Sequence, residues 1–229
     1  MIIINPIPDP LIRCDFENVY YPSDDSYLLI DYFKKNISTN YFDGIQLNEI
    51  DNILDMGTGT GIVAIFLKNI QSLNLNFKPT IYASDILEDS IKCAKINEKL
   101  NQKHNEIIYL KSDLFTSFPK SWESIFNIVI FNPPYLPSLA SNEGKLAKSG
   151  IDHSWNGGLE GIEITINFLK GVKNFINLNK AHYIYFISST KCDLDELETQ
   201  IINLGFKHEK LEKIHVFFED IILNRIKCI

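Results

Sequence analysis

The feature that most constrains the fold is an alternation of short apolar runs with segments of helical period, repeated along most of the 229 residues. Residues 50–56 form a short apolar run that ends in a glycine-rich turn, as a buried strand does. Residues 62–70 follow with helical spacing. Residues 80–84 read as a second strand, and residues 87–100 as a second helix with Ile91, Ala94 and Ile96 among its apolar positions. A third strand is expected at 106–110. A fourth, at 126–131, is apolar except for Asn127, and Pro133-Pro134 stops it because proline cannot donate to a ladder. After a long polar loop come a helical segment at 160–175 and a β-rich run at 182–188. A helix at 193–204 follows, with Asp193 as cap and Gly205 as stop. Two last strands, near 210–217 and 220–227, can close as a hairpin. Alternating strand and helix imply an α/β domain with a mostly parallel sheet and helices on both faces. The sheet is expected to have seven strands, the closing hairpin forming an antiparallel edge.

The first strand leads into Asp55-Met56-Gly57-Thr58-Gly59-Thr60-Gly61. Glycines let the backbone turn sharply and approach a ligand, and the helix that follows points free N–H groups at it. A dinucleotide loop wants G-x-G-x-x-G; here the third glycine comes one residue early and Ile62 takes its place. A carboxylate at Asp55 would repel a pyrophosphate and attract a cationic amino-acid moiety. S-adenosylmethionine has no phosphate and carries an ammonium and a sulfonium, so the charge pattern favours it. The loop alone is also compatible with an ordinary tight strand-to-helix turn. Asp85 ends the second strand, where an acid can accept from ribose hydroxyls or cap the next helix, and both can hold together. Asp113 follows the third strand. All three acids sit at carboxyl ends of strands, where open α/β sheets bind ligands.

The fourth strand ends in Asn132-Pro133-Pro134-Tyr135. Two prolines fix the backbone and remove two donors. What remains is a rigid turn presenting carbonyl oxygens, the Asn132 side chain and an aromatic ring. A planar amide or exocyclic amine has two N–H donors; the Asn132 side-chain oxygen and the Pro133 carbonyl can accept one each, while Tyr135 stacks on the planar face. Such a turn would orient a nitrogen lone pair toward a methyl donor by positioning, without a strong base. The bland alternative is a rigid turn with no chemistry.

Composition excludes several classes. Hydrophobic residues make up 45% and charged residues 22%, as in ordinary globular domains. A net charge of -7 lacks the basic field of non-specific nucleic-acid binders. Cys14, Cys93, Cys192 and Cys228 are scattered with no C-x-x-C pair, so neither a disulfide framework nor a zinc site is expected, and reduced thiols in a cytosolic protein are. The segment Met1-Ile2-Ile3-Ile4-Asn5-Pro6 has no basic region of a signal peptide, and no apolar run is long enough to span a bilayer. A soluble cytoplasmic protein is expected.

With these motifs in place, the sequence from about Tyr20 onward resembles class I, Rossmann-like methyltransferases of the HemK type, the glutamine methyltransferases of translation release factors. Tyr21-Pro22-Ser23-Asp24-Asp25-Ser26 is similar to the family segment before its first helix, which implies that Ser26 approaches the cofactor. A helix start is the alternative, with Ser23 as cap and Asp24 and Asp25 favouring the positive helix end. By the same resemblance Asp55, Gly57 and Gly59 form the S-adenosylmethionine loop, Asp85 binds ribose, and Asp113 and Leu114 contact adenine. Asn132, Pro133 and Tyr135 belong to the substrate motif, with Asn132 also near the cofactor. Ser154-Trp155-Asn156-Gly157-Gly158, then Gly161, resembles the segment before the next helix. The bacterial members' separate helical domain has no counterpart in the roughly twenty residues before Tyr21, so the chain looks like the shorter archaeal and eukaryotic branch. It is expected to be a single domain over 1–229, with 1–20 as an N-terminal extension. The branch implies a small zinc-binding activator protein on the third, edge strand, for which Ile107-Ile108-Tyr109 is the apolar candidate; ordinary core is its alternative. Residues 71–79 are expected to form a surface loop. The loop 136–153, with Glu143, Lys145, Lys148 and Asp152, is expected to cover the substrate.

The leading function is therefore methylation of the glutamine in a Gly-Gly-Gln loop, with protein lysine methylation in the same branch. A nucleic-acid amino methyltransferase would use a similar turn, but needs base flipping and a positive track. A cofactor-binding protein without catalysis would not need an intact Asn132.

Overall fold

In the computed structural model, which describes residues 7–73, 76–137 and 157–229, the chain enters through α1 (Asp24–Asn36) and a small hairpin, β1 (Tyr41–Phe42) and β2 (Ile45–Gln46). The alternating part then runs β3 (Asn52–Met56), α2 (Ile62–Leu73), β4 (Thr80–Asp85), α3 (Glu88–Leu100), β5 (Ile107–Lys111) and β6 (Ile128–Phe131). It continues through α4 (Glu163–Val172), β7 (Tyr183–Ser189) and α5 (Leu194–Asn203), and closes on β8 (Phe206–Val216) and β9 (Glu219–Cys228). The seven strands β3 to β9 form one sheet in the order β5-β4-β3-β6-β7-β9-β8. The first five are mutually parallel, and β9 runs antiparallel to both β7 and β8. The expected sheet and its closing hairpin are both present.

Successive side chains of a strand point to opposite faces, and this splits the core in two. Ile53, Ile128 and Ile130 pack on the face covered by α1 and α2; Leu54, Val129 and Phe131 pack on the face covered by α4 and α5. All four residues of β6 are buried, which explains its unbroken apolar run. The sheet order reverses between β3 and β6, because the chain winds outward through β4 and β5 before it returns. That switch leaves a crevice at the carboxyl ends of β3 and β6, where open sheets bind ligands.

Several local expectations are corrected. Residues 71–73 belong to α2 and Phe77 is buried, so 71–79 is not simply a surface loop. Ile96 is exposed on α3. Ser23 occupies the N-cap position of α1 but makes no capping bond, whereas Asp193 caps α5 by accepting from the Glu196 N–H at 3.0 Å. Phe126 precedes β6 and makes only an isolated bridge to Ile176. The hairpin β1–β2 turns on Asp43 (φ 46°) and Gly44 (φ 84°), the two positive φ values that Asp-Gly pairs supply. Part of the N-terminal extension lies along α3: Leu11 exchanges two bonds of 2.8 Å with the Asn101 side chain, and Arg13 N–H donates to Asn97 Oδ1 at 2.9 Å. No described helix is long and apolar enough to cross a membrane.

Candidate active site

A cleft of about 450 Å³ opens at the carboxyl ends of β3, β4 and β6. It is lined by Asp55, Gly57 and Gly59 of the glycine loop, by Asp85, Asp113 and Leu114, and by Ser26 and Asn132. Residues predicted from five separate stretches of sequence thus meet in one cavity. Gly57 (φ 64°) is held against β6, where an added Cβ would lie 3.1 Å from the Phe131 ring. Gly61 differs from the other two. It does not line the cleft, and a Cβ there would lie 2.9 Å from the Ala94 Cβ, so it serves the packing of α2 on α3.

The acids are built into the loop they support. Asp55 is 3% exposed; its Oδ2 accepts from Thr58 Oγ1 at 2.6 Å and from the Ala64 N–H at 3.2 Å. It therefore ties the glycine turn to the start of α2. Burial pushes its carboxyl up to about 7, partly offset by those two donors. Asp85 accepts from the Gly59 N–H and the Leu87 N–H, each at 2.9 Å, and burial raises it as well. It thus joins the glycine turn to the entry of α3 while it faces the cleft. Asp113 is exposed, and Leu114 is half-buried with φ 44°.

Asn132 ends β6 at the switch point. Its Nδ2 donates to Ser26 Oγ at 3.5 Å, and its Oδ1 is buried with no hydrogen-bond partner among the described residues. Such an acceptor costs about 1–3 kcal/mol until a donor reaches it. Pro134 lines the cleft; Pro133 is buried and Tyr135 half-buried, and neither lines it. The Tyr135 hydroxyl donates to Asp25 at 3.2 Å, beside the Tyr20 hydroxyl at 3.1 Å. Asp25 and Tyr20 are the residues that sequence reasoning missed as site components. The signal available was only their place beside Ser26.

Gly157 and Gly161 press on the Asn-Pro-Pro-Tyr turn. A Cβ at Gly157 would lie 2.7 Å from the Pro134 carbonyl oxygen, and one at Gly161 (φ 76°) 2.5 Å from that of Tyr135. The Gly157 N–H donates to the Leu136 carbonyl at 2.8 Å. Ser154, Trp155, Asn156 and nearly all of the expected substrate loop, with Glu143, Lys145, Lys148 and Asp152, lie outside the described residues.

The Methyltransferase small domain family model matches residues 26–153, from Ser26 through the glycine loop to beyond Tyr135. The chain belongs to this methyltransferase family. A putative protein N5-glutamine methyltransferase of Methanocaldococcus jannaschii is 29% identical over 205 residues, covering 90% of this chain and 89% of that one. The eRF1 methyltransferase catalytic subunit of Schizosaccharomyces pombe is 26% identical over 219 residues, 91% of each chain. These relatives bear out the HemK-type resemblance. Among solved structures, the E. cuniculi Mtq2–Trm112 complex, described as responsible for the methylation of the eRF1 translation termination factor, matches with a TM-score of 0.62 at 18% identity, over 92% of this chain and 99% of that one. A methyltransferase from Pyrococcus furiosus matches with a TM-score of 0.56, also at 18% identity, over 92% and 89%. Both share the fold.

Proposed function

We propose that this methyltransferase transfers the methyl group of S-adenosylmethionine to the side-chain amide nitrogen of a glutamine, in the Gly-Gly-Gln loop of a translation release factor. The observation that carries the reading is the buried Asn132 Oδ1 at the cleft, unmatched among the described residues. It is an acceptor waiting for an N–H, and a primary amide brings two. The similarity to N5-glutamine and eRF1 methyltransferases, over 90% and 91% of this chain, supports the same substrate.

The cleft fits the methyl donor. Asp55 offers a carboxylate to an ammonium, Gly57 and Gly59 permit close approach, Asp85 can accept from ribose hydroxyls, and Ser26, Asp113 and Leu114 complete the walls. Bound there, S-adenosylmethionine supplies an electrophilic methyl. The protein's part is positioning: Asn132 Oδ1 takes one substrate N–H, and the rigid turn through Pro133 and Tyr135, which do not themselves line the cleft, holds that acceptor in place. We include in this reading a small zinc-binding activator protein on β5, an edge strand with one unpaired side, and action in the cytoplasm as a single methyltransferase unit.

The test is methyl transfer by the purified protein to a release factor, compared with total RNA and DNA, followed by mass mapping of the modified atom. Methyl on the Gly-Gly-Gln glutamine is expected. Transfer to nucleic acid alone, or to lysine alone, would replace this reading.

A further inference from the structure

Asp25 was read from sequence as a charge at the start of a helix. Its neighbour Asp24 has that environment and is exposed; Asp25 is 3% exposed. Its Oδ1 accepts from the Ser26 N–H at 2.5 Å and from Ser26 Oγ at 3.1 Å. Its Oδ2 accepts from the Tyr20 hydroxyl at 3.1 Å and from the Tyr135 hydroxyl at 3.2 Å. A carboxylate offers about four lone-pair positions, and here donors fill them. Burial pushes both phenols well above the ordinary tyrosine value, which keeps them as donors.

The consequence runs outward to Asn132. The Ser26 hydroxyl has a single proton, and that proton points at Asp25. Toward Asn132, Ser26 can then only accept, and it is Asn132 Nδ2 that lies there at 3.5 Å. A carboxamide is a donor at one end and an acceptor at the other. Once its Nδ2 is held by Ser26, its Oδ1 must face the other way, and that is the oxygen left buried without a partner among the described residues.

We propose that Asp25 is a positioning residue for methyl transfer, which fixes the direction of the Asp25–Ser26–Asn132 hydrogen-bond chain so that Asn132 presents an acceptor, and not a donor, to the substrate N–H. The proposal rests on the amide-methylation reading above. It also gives the Asn-Pro-Pro-Tyr turn an anchor, since the same carboxyl group holds Tyr135 from a helix 110 residues earlier in the chain.

Asp25→Leu keeps the bulk and removes the acceptor. The Ser26 hydroxyl then has no carboxylate to hold its proton and gives it to Asn132, whose carboxamide turns over and offers a donor to the substrate. We expect kcat on the release factor to fall about 10²-fold, as for a misplaced reacting group, with the S-adenosylmethionine Kd changed by less than about threefold, or under 1 kcal/mol. Ser26→Ala cuts the chain without reversing it and should cost less, about tenfold in kcat. The double variant should return to the level of Ser26→Ala alone, because without the hydroxyl the reversal cannot reach Asn132. A merely structural role would make the two losses multiply. A second readout needs no substrate: the Asn132 side-chain amide signal in NMR, assigned by its loss in Asn132→Asp, should exchange with water at least about tenfold faster in Asp25→Leu. Unchanged kcat in Asp25→Leu, or a double variant as poor as the product of the singles, overturns the proposal. If Asp25→Leu does not fold, Ser26→Ala decides: faster Asn132 amide exchange supports the chain, and unchanged exchange overturns it. A wild-type protein that leaves release factors unmodified removes the substrate reading instead, and the amide exchange still tests Asp25.

Discussion

Asn132 Oδ1 is buried and unmatched among the described residues, in a cleft where Asp55 and Asp85 both have their donors. Native proteins rarely leave a buried acceptor so, and a ligand group is the ordinary reason. Asn132→Ala removes the acceptor and leaves the glycine loop, Asp55 and Asp85 intact. Methyl transfer should fall by about 10²-fold or more, as for loss of one preorganised polar contact to the reacting group, while calorimetry should find S-adenosylmethionine binding largely retained. Near-normal turnover would remove Asn132 from the chemistry. Asp55 makes a second residue-scale prediction. Its folded carboxyl is raised to about 7 by burial, so its contribution to stability is full below the ordinary carboxylate range and is lost as pH rises to about 7. For the ligand the sign is opposite, because an ammonium favours the ionised form. Affinity for S-adenosylmethionine should therefore tighten as pH rises from about 6 to about 8, and Asp55→Asn should flatten that profile. A wild-type affinity that is constant across the range would contradict the assignment.

At the scale of elements, the site depends on segments pressed against each other more closely than side chains allow. Gly161 sits at φ 76° with the Tyr135 carbonyl 2.5 Å from where a Cβ would be. Gly161→Ala should destabilise the fold by about 1–3 kcal/mol, from backbone strain and the displaced turn, and should raise KM for the protein substrate; urea melts and steady-state kinetics read the two effects. The element pattern was largely legible in the sequence, because strands buried on both faces read as unbroken apolar runs and their helices as periodic ones. The hairpin β1–β2 escaped, since two-residue strands carry no period, although Asp43-Gly44 was there as a turn signal. At the site, the acids, glycines and Asn132 that line the cleft were legible through type and position at strand ends. Their supports were not: the bonds of Asp25 to Tyr135, and of Ser26 to Asn132, join residues 110 and 106 positions apart, and no local pattern encodes them. The three glycines looked alike as letters, and only the packing against Ala94 separates Gly61 from the two that face the cleft.

At the scale of the molecule, the two sheet edges are unequal. One edge is β8, the outer strand of the closing hairpin, and the other is β5, a five-residue parallel strand whose outer side has no strand beside it among the described residues. Ile108 on β5 is 43% exposed, and α3, which packs against β5, exposes Ile96 and Leu100. An edge that is short, apolar and unpaired suits the addition of a strand from a partner. In the sheet it is separated from β6, which leads into the Asn-Pro-Pro-Tyr turn, by β4 and β3, and none of its five residues lines the cleft. Co-expression with the small activator protein should give a stable heterodimer, and Ile108→Lys should abolish it by placing a charge in the buried seam. The monomeric variant should keep the cofactor affinity of the wild-type monomer, because Ile108 does not line the cleft. Size-exclusion chromatography and calorimetry measure the two outcomes. A heterodimer that survives Ile108→Lys would move the interface away from β5, and a wild-type monomer that is soluble and fully active alone would make the activator unnecessary.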